Sequence, residues 1–296
     1  MGSQLKMAER VSVTGIIING ALSVLKLAAG ALGHSGALIS DGVDSLGDVA
    51  GSVIAMTGIR LSERKADKGH PYGHERFECV ATLLLSFMLA LAGIFMARHG
   101  VMSVVSGDYA ASSGPAALAA AAACVSIAGK LTLSVYTFRR GRELRVSALI
   151  AAAENYRADV FVSVGSLVGI AGARLGLPVL DPVMETALSA MVLWSAVSAF
   201  REAIGKMTDR SCDEATNNAI YACAAAVEGV MSVDLVRTRQ FGSRFYVDVE
   251  VSADPKLELH DAHAICQHVH DSIESAFPEV KHCMVHINPY GENEEE

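Results

Sequence analysis

The chain has 296 residues, 51% of them hydrophobic and only 19% charged, with a mean hydropathy of +0.35 and a formal charge of -8. Such apolarity excludes a disordered or collagen-like chain and an average soluble enzyme. Residues 1–208 carry 18 basic against 15 acidic side chains and residues 209–296 carry 6 against 17, so a slightly basic apolar part precedes a strongly acidic soluble one. That balance argues against a nucleic-acid partner and for a cation, and the terminal Glu294–Glu296 run reads as solvated.

The N-terminal MGSQLK has neither Ser nor Thr at position 6 and no cleavable leader pattern, so neither myristoylation nor secretion is expected. Six apolar stretches are then long enough to cross about 30 Å of hydrocarbon: residues 11–33, 36–59, 78–104, 114–138, 147–174 and 179–204. Six spans place both termini on one side. Arg60, Arg64, Lys65, Lys68 and Arg76 lie between spans two and three, and Arg139, Arg140, Arg142 and Arg145 between four and five, while the other connections hold little beyond Arg98 and Arg174. The positive-inside rule therefore puts both termini in the cytoplasm. Small residues, as in AALAAAAACVSIAG and SVGSLVGIAGARLG, suit close helix packing in lipid and carry no functional information.

Span two contains Asp41, Asp44 and Asp48 at i, i+3 and i+7, one helix face, with no basic residue in the span to neutralise them. Each carboxylate costs about 3 kcal/mol or more on insertion scales. Span five reads ENYRADVFVSVGS and offers Asn155 and Asp159 at i and i+4, flanked by Glu154 and Arg157. An i, i+4 pair from each of two facing helices supplies four ligands around a point, as a divalent cation site requires. Asp44, Asp48, Asn155 and Asp159 are the candidates. The residues alone leave open a blander reading, in which these four face a polar bundle interior and pair with Arg157, Lys26 or Lys130; Asp41 is expected to cap or hydrogen-bond within the bundle rather than to bind metal.

From residue 209 the pattern turns soluble. It predicts a helix over 213–227, strands in VMSVDLVRTRQ and SRFYVDVEVSA, a helix in LHDAHAICQHVHDSIESAF and a last strand in HCMVHINPY, an αββαβ order. A domain of roughly 80 residues has a thin core, so association through it is expected. The six cysteines, Cys79, Cys124, Cys212, Cys223, Cys266 and Cys283, form no CxxC pair and read as reduced thiols. No triad of a serine hydrolase, phosphate loop or dinucleotide fingerprint occurs.

Taken together, the six spans, the SGALISDGVDSLGD segment, the HPYGH loop, the Asp of span five and the small acidic domain resemble the cation diffusion facilitator family of divalent-metal/proton antiporters. The resemblance covers nearly the whole chain. It implies a six-helix transmembrane domain over 1–208 and a cytoplasmic ferredoxin-like domain over 209–296. It also implies a homodimer in a lipid bilayer, divalent metal ions and protons as transported species, and no cofactor. It places the transport site at Asp44, Asp48, Asn155 and Asp159, and a second metal site at the DxxHxxxH of Asp67, His70 and His74. His263 and His286, with Asp248, match ligands in relatives whose soluble domain senses metal; Asp234 stands where others have His, and Asn288 where some have Asp. Arg76 and Asp209 match a charge pair at the dimer seam.

Zinc-transporting relatives usually have His where this chain has Asn155, which leaves oxygen donors only. Oxygen sites suit manganese or ferrous iron better than zinc or cobalt. The expected function is thus efflux of Mn(II) or Fe(II), with Zn(II) and Co(II) as further substrates, in a bacterial inner or internal membrane. Mn, Fe or Zn ions are also candidate regulators; the soluble domain concentrates His260, His263, His268, His270, His282 and His286, of which His268, His270 and His282 read as an exposed polar face. Two rivals stand beside transport: a non-transporting, metal-responsive membrane scaffold, and an intramembrane hydrolase with paired aspartates as acid and base.

Overall fold

The computed structural model describes residues 2–62, 67–107, 117–144, 146–242 and 244–291. Arg64, Lys65, Arg145 and the Glu294–Glu296 run lie outside the described residues, as does the side chain of Arg60. The chain divides into two compact units, Met1–Ile54 with Thr82–Phe200, and Ala55–Ala81 with Arg201–Glu296.

Six long helices come first: α1 (Gly2–Leu32), α2 (Gly36–Ser62), α3 (Arg76–Ser106), α4 (Ala117–Leu144), α5 (Ser147–Arg174) and α6 (Leu180–Met207). At 1.5 Å per residue each is roughly 40–46 Å long, more than the hydrocarbon needs, so most outrun the apolar stretches that predict them. Among the described residues, α3, α4, α6 and the Glu9–Leu32 part of α1 are long and apolar enough to cross a membrane. The two that fall short are α2, with its three aspartates, and α5, with Glu154, Arg157 and Asp159.

The first unit buries polar groups and exposes large apolar ones. Lys26, Lys130, Asp41, Ser23, Ser40, Ser45 and Ser163 are buried, whereas Leu84, Phe87, Met88 and Phe95 of α3, Phe161 of α5 and Trp194 of α6 are exposed. That is the arrangement expected where the surroundings are hydrocarbon and interior polar groups bond to one another. The start of α2 shows how such groups are satisfied. Ser35 Oγ accepts from Leu38 N–H at 3.2 Å while donating to Asp181 Oδ1 at 2.6 Å, and Gly36 N–H donates to Asp181 Oδ2 at 2.9 Å. A carboxylate from α6 thus meets the positive end of α2. Beside it, Glu185 Oε1 lies 3.0 Å from His99 Nδ1.

Small residues let these helices approach. Ala29, Ala119, Ala122 and Ala123 form one buried cluster with Leu38 and Ile170. At Gly100 a Cβ would lie 2.9 Å from the carbonyl oxygen of Pro182 and 2.4 Å from Thr186 Oγ1, so α3 can run this close to α6 only without a side chain there.

In the second unit the order reverses to apolar inside. It contains α7 (Glu214–Ala225), β1 (Ser232–Phe241), β2 (Arg244–Ala253), α8 (Leu259–Ala276) and β3 (Val280–Pro289), the expected αββαβ. The strands form one sheet in the order β1-β2-β3, with β1 antiparallel and β3 parallel to β2. The parallel pairing requires a crossover, and α8 supplies it. Val247, Val249 and Val251 alternate along β2 into a core closed by Ile220 and Ala224 of α7 and Val269 and Ile273 of α8. Burying each such valine or isoleucine is worth about 1.5–3 kcal/mol. Asp213 caps α7 by accepting from Thr216 N–H at 2.9 Å.

Gly100 and Gly51 should respond to alanine with opposite signs. In Gly100→Ala, overpacking against backbone, about 1–3 kcal/mol, outweighs the gain of about 1 kcal/mol in helix propensity, and the thermal midpoint in detergent should fall. A Cβ at Gly51 would meet nothing within 4 Å, so Gly51→Ala should leave the midpoint unchanged or raise it.

Candidate metal centre

The helix periodicity of α2 puts Asp44 and Asp48 one turn apart, and α5 brings Asp159 to them. One oxygen from each of the three carboxylates lies within 4.8 Å of the other two. Asp159 is buried, and Asp44 and Asp48 are half-buried. Asn155, one turn before Asp159 on α5, is exposed. Its neighbours Glu154 and Arg157 pair with each other at 2.6 Å.

Two buried lysines complete the surroundings. Lys130 of α4 donates to Asp159 Oδ2 at 2.8 Å and to Ser45 Oγ at 2.8 Å. Lys26 of α1 donates to the same Ser45 Oγ at 2.8 Å, to Asp41 Oδ1 at 2.7 Å and to Ser163 Oγ at 3.1 Å. Asp41 Oδ1 also accepts from Ser163 Oγ at 3.1 Å, so Asp41 is held by Lys26 and Ser163. Four carboxylates and two ammonium groups leave a formal excess of two negative charges. Unpaired charge is costly to bury, and one divalent cation would cancel this excess. Asp48 Oδ2 and Asp41 Oδ2 are buried without a hydrogen-bond partner.

Ser45 and Ser163 are the site residues that sequence reasoning passes over. Their spacing was a usable signal, since Ser45 stands four residues after Asp41 and Ser163 four after Asp159. The blander sequence reading names Lys26 and Lys130 as counter-charges, and both do pair with aspartates here.

In the second unit, Asp67, His70 and His74 also converge within 4.8 Å. His74 Nε2 lies 3.3 Å from Asp67 Oδ2, and His70 Nδ1 lies 3.5 Å from Asp67 Oδ1. The turn itself builds this cluster, because the N–H groups of Gly69 and His70 donate to Asp67 Oδ1 at 2.8 and 2.7 Å. The His70 bond above all holds the Asp67 carboxyl below the usual carboxylate range. His74 is buried, stacked on Phe77 with ring centroids 5.9 Å apart. Next to it Glu75 pairs with Lys281, whose Nζ also donates to the carbonyl of Tyr72 at 2.6 Å.

Arg76 and Asp209 form an ion pair, with the guanidinium also 5.0 Å from the Phe241 ring centroid. Asp209 has a φ of 55° just past the end of α6, and the N–H of Arg210 returns to the carbonyl of Gly205 at 2.9 Å, a left-handed helix stop. Asp248 and His286 are exposed on β2 and β3, and His263 is exposed on α8. Asp248 pairs in register with Met284 and Glu250 with His286, which sets Asp248 and His286 on the sheet face opposite Val247 and Val249. Asp234 sits at a bulge in β1 and accepts from Ser232 Oγ at 2.7 Å and Ser252 Oγ at 2.5 Å, with Asn288 Nδ2 at 3.4 Å.

Residues 12–207 match the family model described as cation efflux transmembrane domain, and residues 212–290 match that of the cation efflux protein, cytoplasmic domain. The uncharacterized transporter YdbO of Bacillus subtilis (strain 168) is 31% identical, the match covering 96% of this chain and 97% of that protein. The manganese efflux system proteins MneS and MneP of the same organism are 30% and 24% identical, each over 97% of this chain and 97% and 98% of theirs. The chain is an integral membrane protein and not an enzyme. It belongs to the cation diffusion facilitator family of divalent-metal efflux proteins.

Proposed function

We propose that the chain exports a divalent cation in exchange for protons through the site of Asp44, Asp48 and Asp159, with Asn155 as a fourth oxygen ligand once the helices close. The observation that carries this reading is the convergence of three carboxylates from α2 and α5 in an interior two negative charges in excess. Mn(II) or Fe(II) is the cargo, because every donor is an oxygen. The names of MneS and MneP support manganese. Zn(II) and Co(II) are poorer substrates.

Protons and metal compete for the same oxygens. Ionised, the carboxylates hold the cation; protonated, they lose both charge and donors. Rocking of the bundle about the site opens it to each side in turn. Lys130 has a part in this cycle: its ammonium already holds one oxygen of Asp159 and competes with the cation for that carboxylate. The arriving metal displaces that contact, and the returning ammonium helps the metal leave.

The transmembrane domain spans 1–208 with six crossings and the cytoplasmic domain 209–296, both termini facing the cytoplasm. The soluble domain joins two copies into a homodimer, with Arg76 and Asp209 bracing the seam. Asp67, His70 and His74 recruit cytoplasmic metal, and His263, His286 and Asp248 contribute to a sensing site shared between protomers.

Metal-driven proton flux in proteoliposomes tests transport. Manganese or ferrous iron should outrun zinc and cobalt, Asp48→Ala and Asp159→Ala should fall to background, and Asn155→His should shift preference toward zinc. Correctly inserted Asp48→Ala protein that moves metal as fast as wild type would place the site elsewhere, and wild type that moves none would favour the scaffold reading. The lysine has its own test. Lys130→Met strips Asp159 of its partner, a loss of about 3–5 kcal/mol for a buried pair. It should lower the thermal midpoint, and adding Asp159→Asn should restore most of it.

A further inference from the structure

His270 and Glu274 stand one turn apart on α8, and His282 follows on β3 after the connection that ends the helix. One ligand atom from each lies within 4.8 Å of the other two. His270 Nε2 is 3.3 Å and His282 Nδ1 is 3.4 Å from the same atom, Glu274 Oε1, and the two rings are 5.4 Å apart. Two imidazoles thus converge on one carboxylate oxygen, an arrangement that a shared positive charge would hold.

The tautomer of His270 follows from its surroundings. Its Nδ1 lies 2.8 Å from the carbonyl oxygen of Cys283, an atom that only accepts, so Nδ1 carries the proton. In the neutral ring that a metal requires, the Nε2 lone pair then faces Glu274. Metal-ligating histidines are oriented in this way, one ring nitrogen donating to a carbonyl and the other facing the ion. Glu274 Oε1 is steadied as well, by the N–H of Cys283 at 3.1 Å. The Cys283 thiol stays out of the set. It is 1% exposed within the valine core, and burial first, then Glu274, pushes its pKa up to about 12.

We infer that His270, Glu274 and His282 form a binding site for a borderline divalent cation of the zinc, cobalt and nickel class. Two nitrogens and one oxygen, with water completing the shell, suit such ions. The donor set differs from the all-oxygen cluster of α2 and α5, so these two sites would prefer different metals. This site is also separate from Asp248 and His286, which lie further along their strands. Its occupancy ties the last turns of α8 to the edge strand β3.

Carbethoxylation of the full-length protein in detergent, read peptide by peptide by mass spectrometry, tests the site without dissecting the chain. Stoichiometric Zn(II) should slow modification of both His270 and His282, and the same concentration of Mn(II) or Mg(II) should not. Glu274→Gln should raise the zinc concentration needed by about tenfold or more, since even partners outside the ligand set are worth that much, while protection of His70 and His74 stays as in wild type. Equal modification of His282 with and without zinc would overturn the site, as would protection of His270 alone. If Glu274→Gln fails to fold, the wild-type comparison of zinc with manganese decides by itself.

Discussion

Everything in the membrane part turns on two lysine–aspartate pairs that share one hydroxyl. Ser45 Oγ accepts from both Lys26 and Lys130, so the Asp41 pair and the Asp159 pair form one connected network drawn from α1, α2, α4 and α5. In hydrocarbon the helices gain little by hiding apolar surface from one another, and interior hydrogen bonds and close packing carry the association. The network does both kinds of work. It pairs two of the four carboxylates with ammonium groups, and it leaves Asp44 and Asp48 without a basic partner of their own among the described contacts.

The two parts of the protein solve opposite solvent problems with the same alphabet. In the first unit lysines and serines share the interior with small and apolar residues, and phenylalanine and tryptophan face outward. In the second, three valines of one strand and the apolar faces of two helices close a thin core, and Asp248, His263 and His286 are exposed. The candidate ligand clusters differ accordingly: carboxylates alone in the first unit, imidazoles with a carboxylate in the second.

Much of the architecture was legible in the sequence because it is periodic. The apolar lengths gave six helices, and alternation and amphipathicity gave αββαβ within a few residues of the observed bounds. Asp44, Asp48 and Asp159 were legible because carboxylates in an apolar helix are costly and their spacing fixes a face. Which lysine meets which aspartate was not legible, since that depends on how α1 and α4 lie against α2 and α5. The exposure of Asn155 was hidden for the same reason: spacing gives a helix face and says nothing about how far that face turns. His270 and His282 read as a polar margin because Glu274, the residue that unites them, is one acid among many, and only the turn into β3 brings them together.

The order of the helices bears on how the chain enters the bilayer as it is made. Of the six long helices, α2 and α5 do not qualify as membrane-crossing among the described residues. Each follows directly on the helix that carries its lysine, Lys26 of α1 before Asp41 of α2 and Lys130 of α4 before Asp159 of α5. A lone aspartate at a helix centre opposes insertion by about 2.5–3.5 kcal/mol. Leaving the translocon as the hairpins α1–α2 and α4–α5, each charged helix would meet its counter-ion in the segment synthesised just before it. The ion pairs that shape the finished site would then also let its two least lipid-soluble helices partition into the membrane.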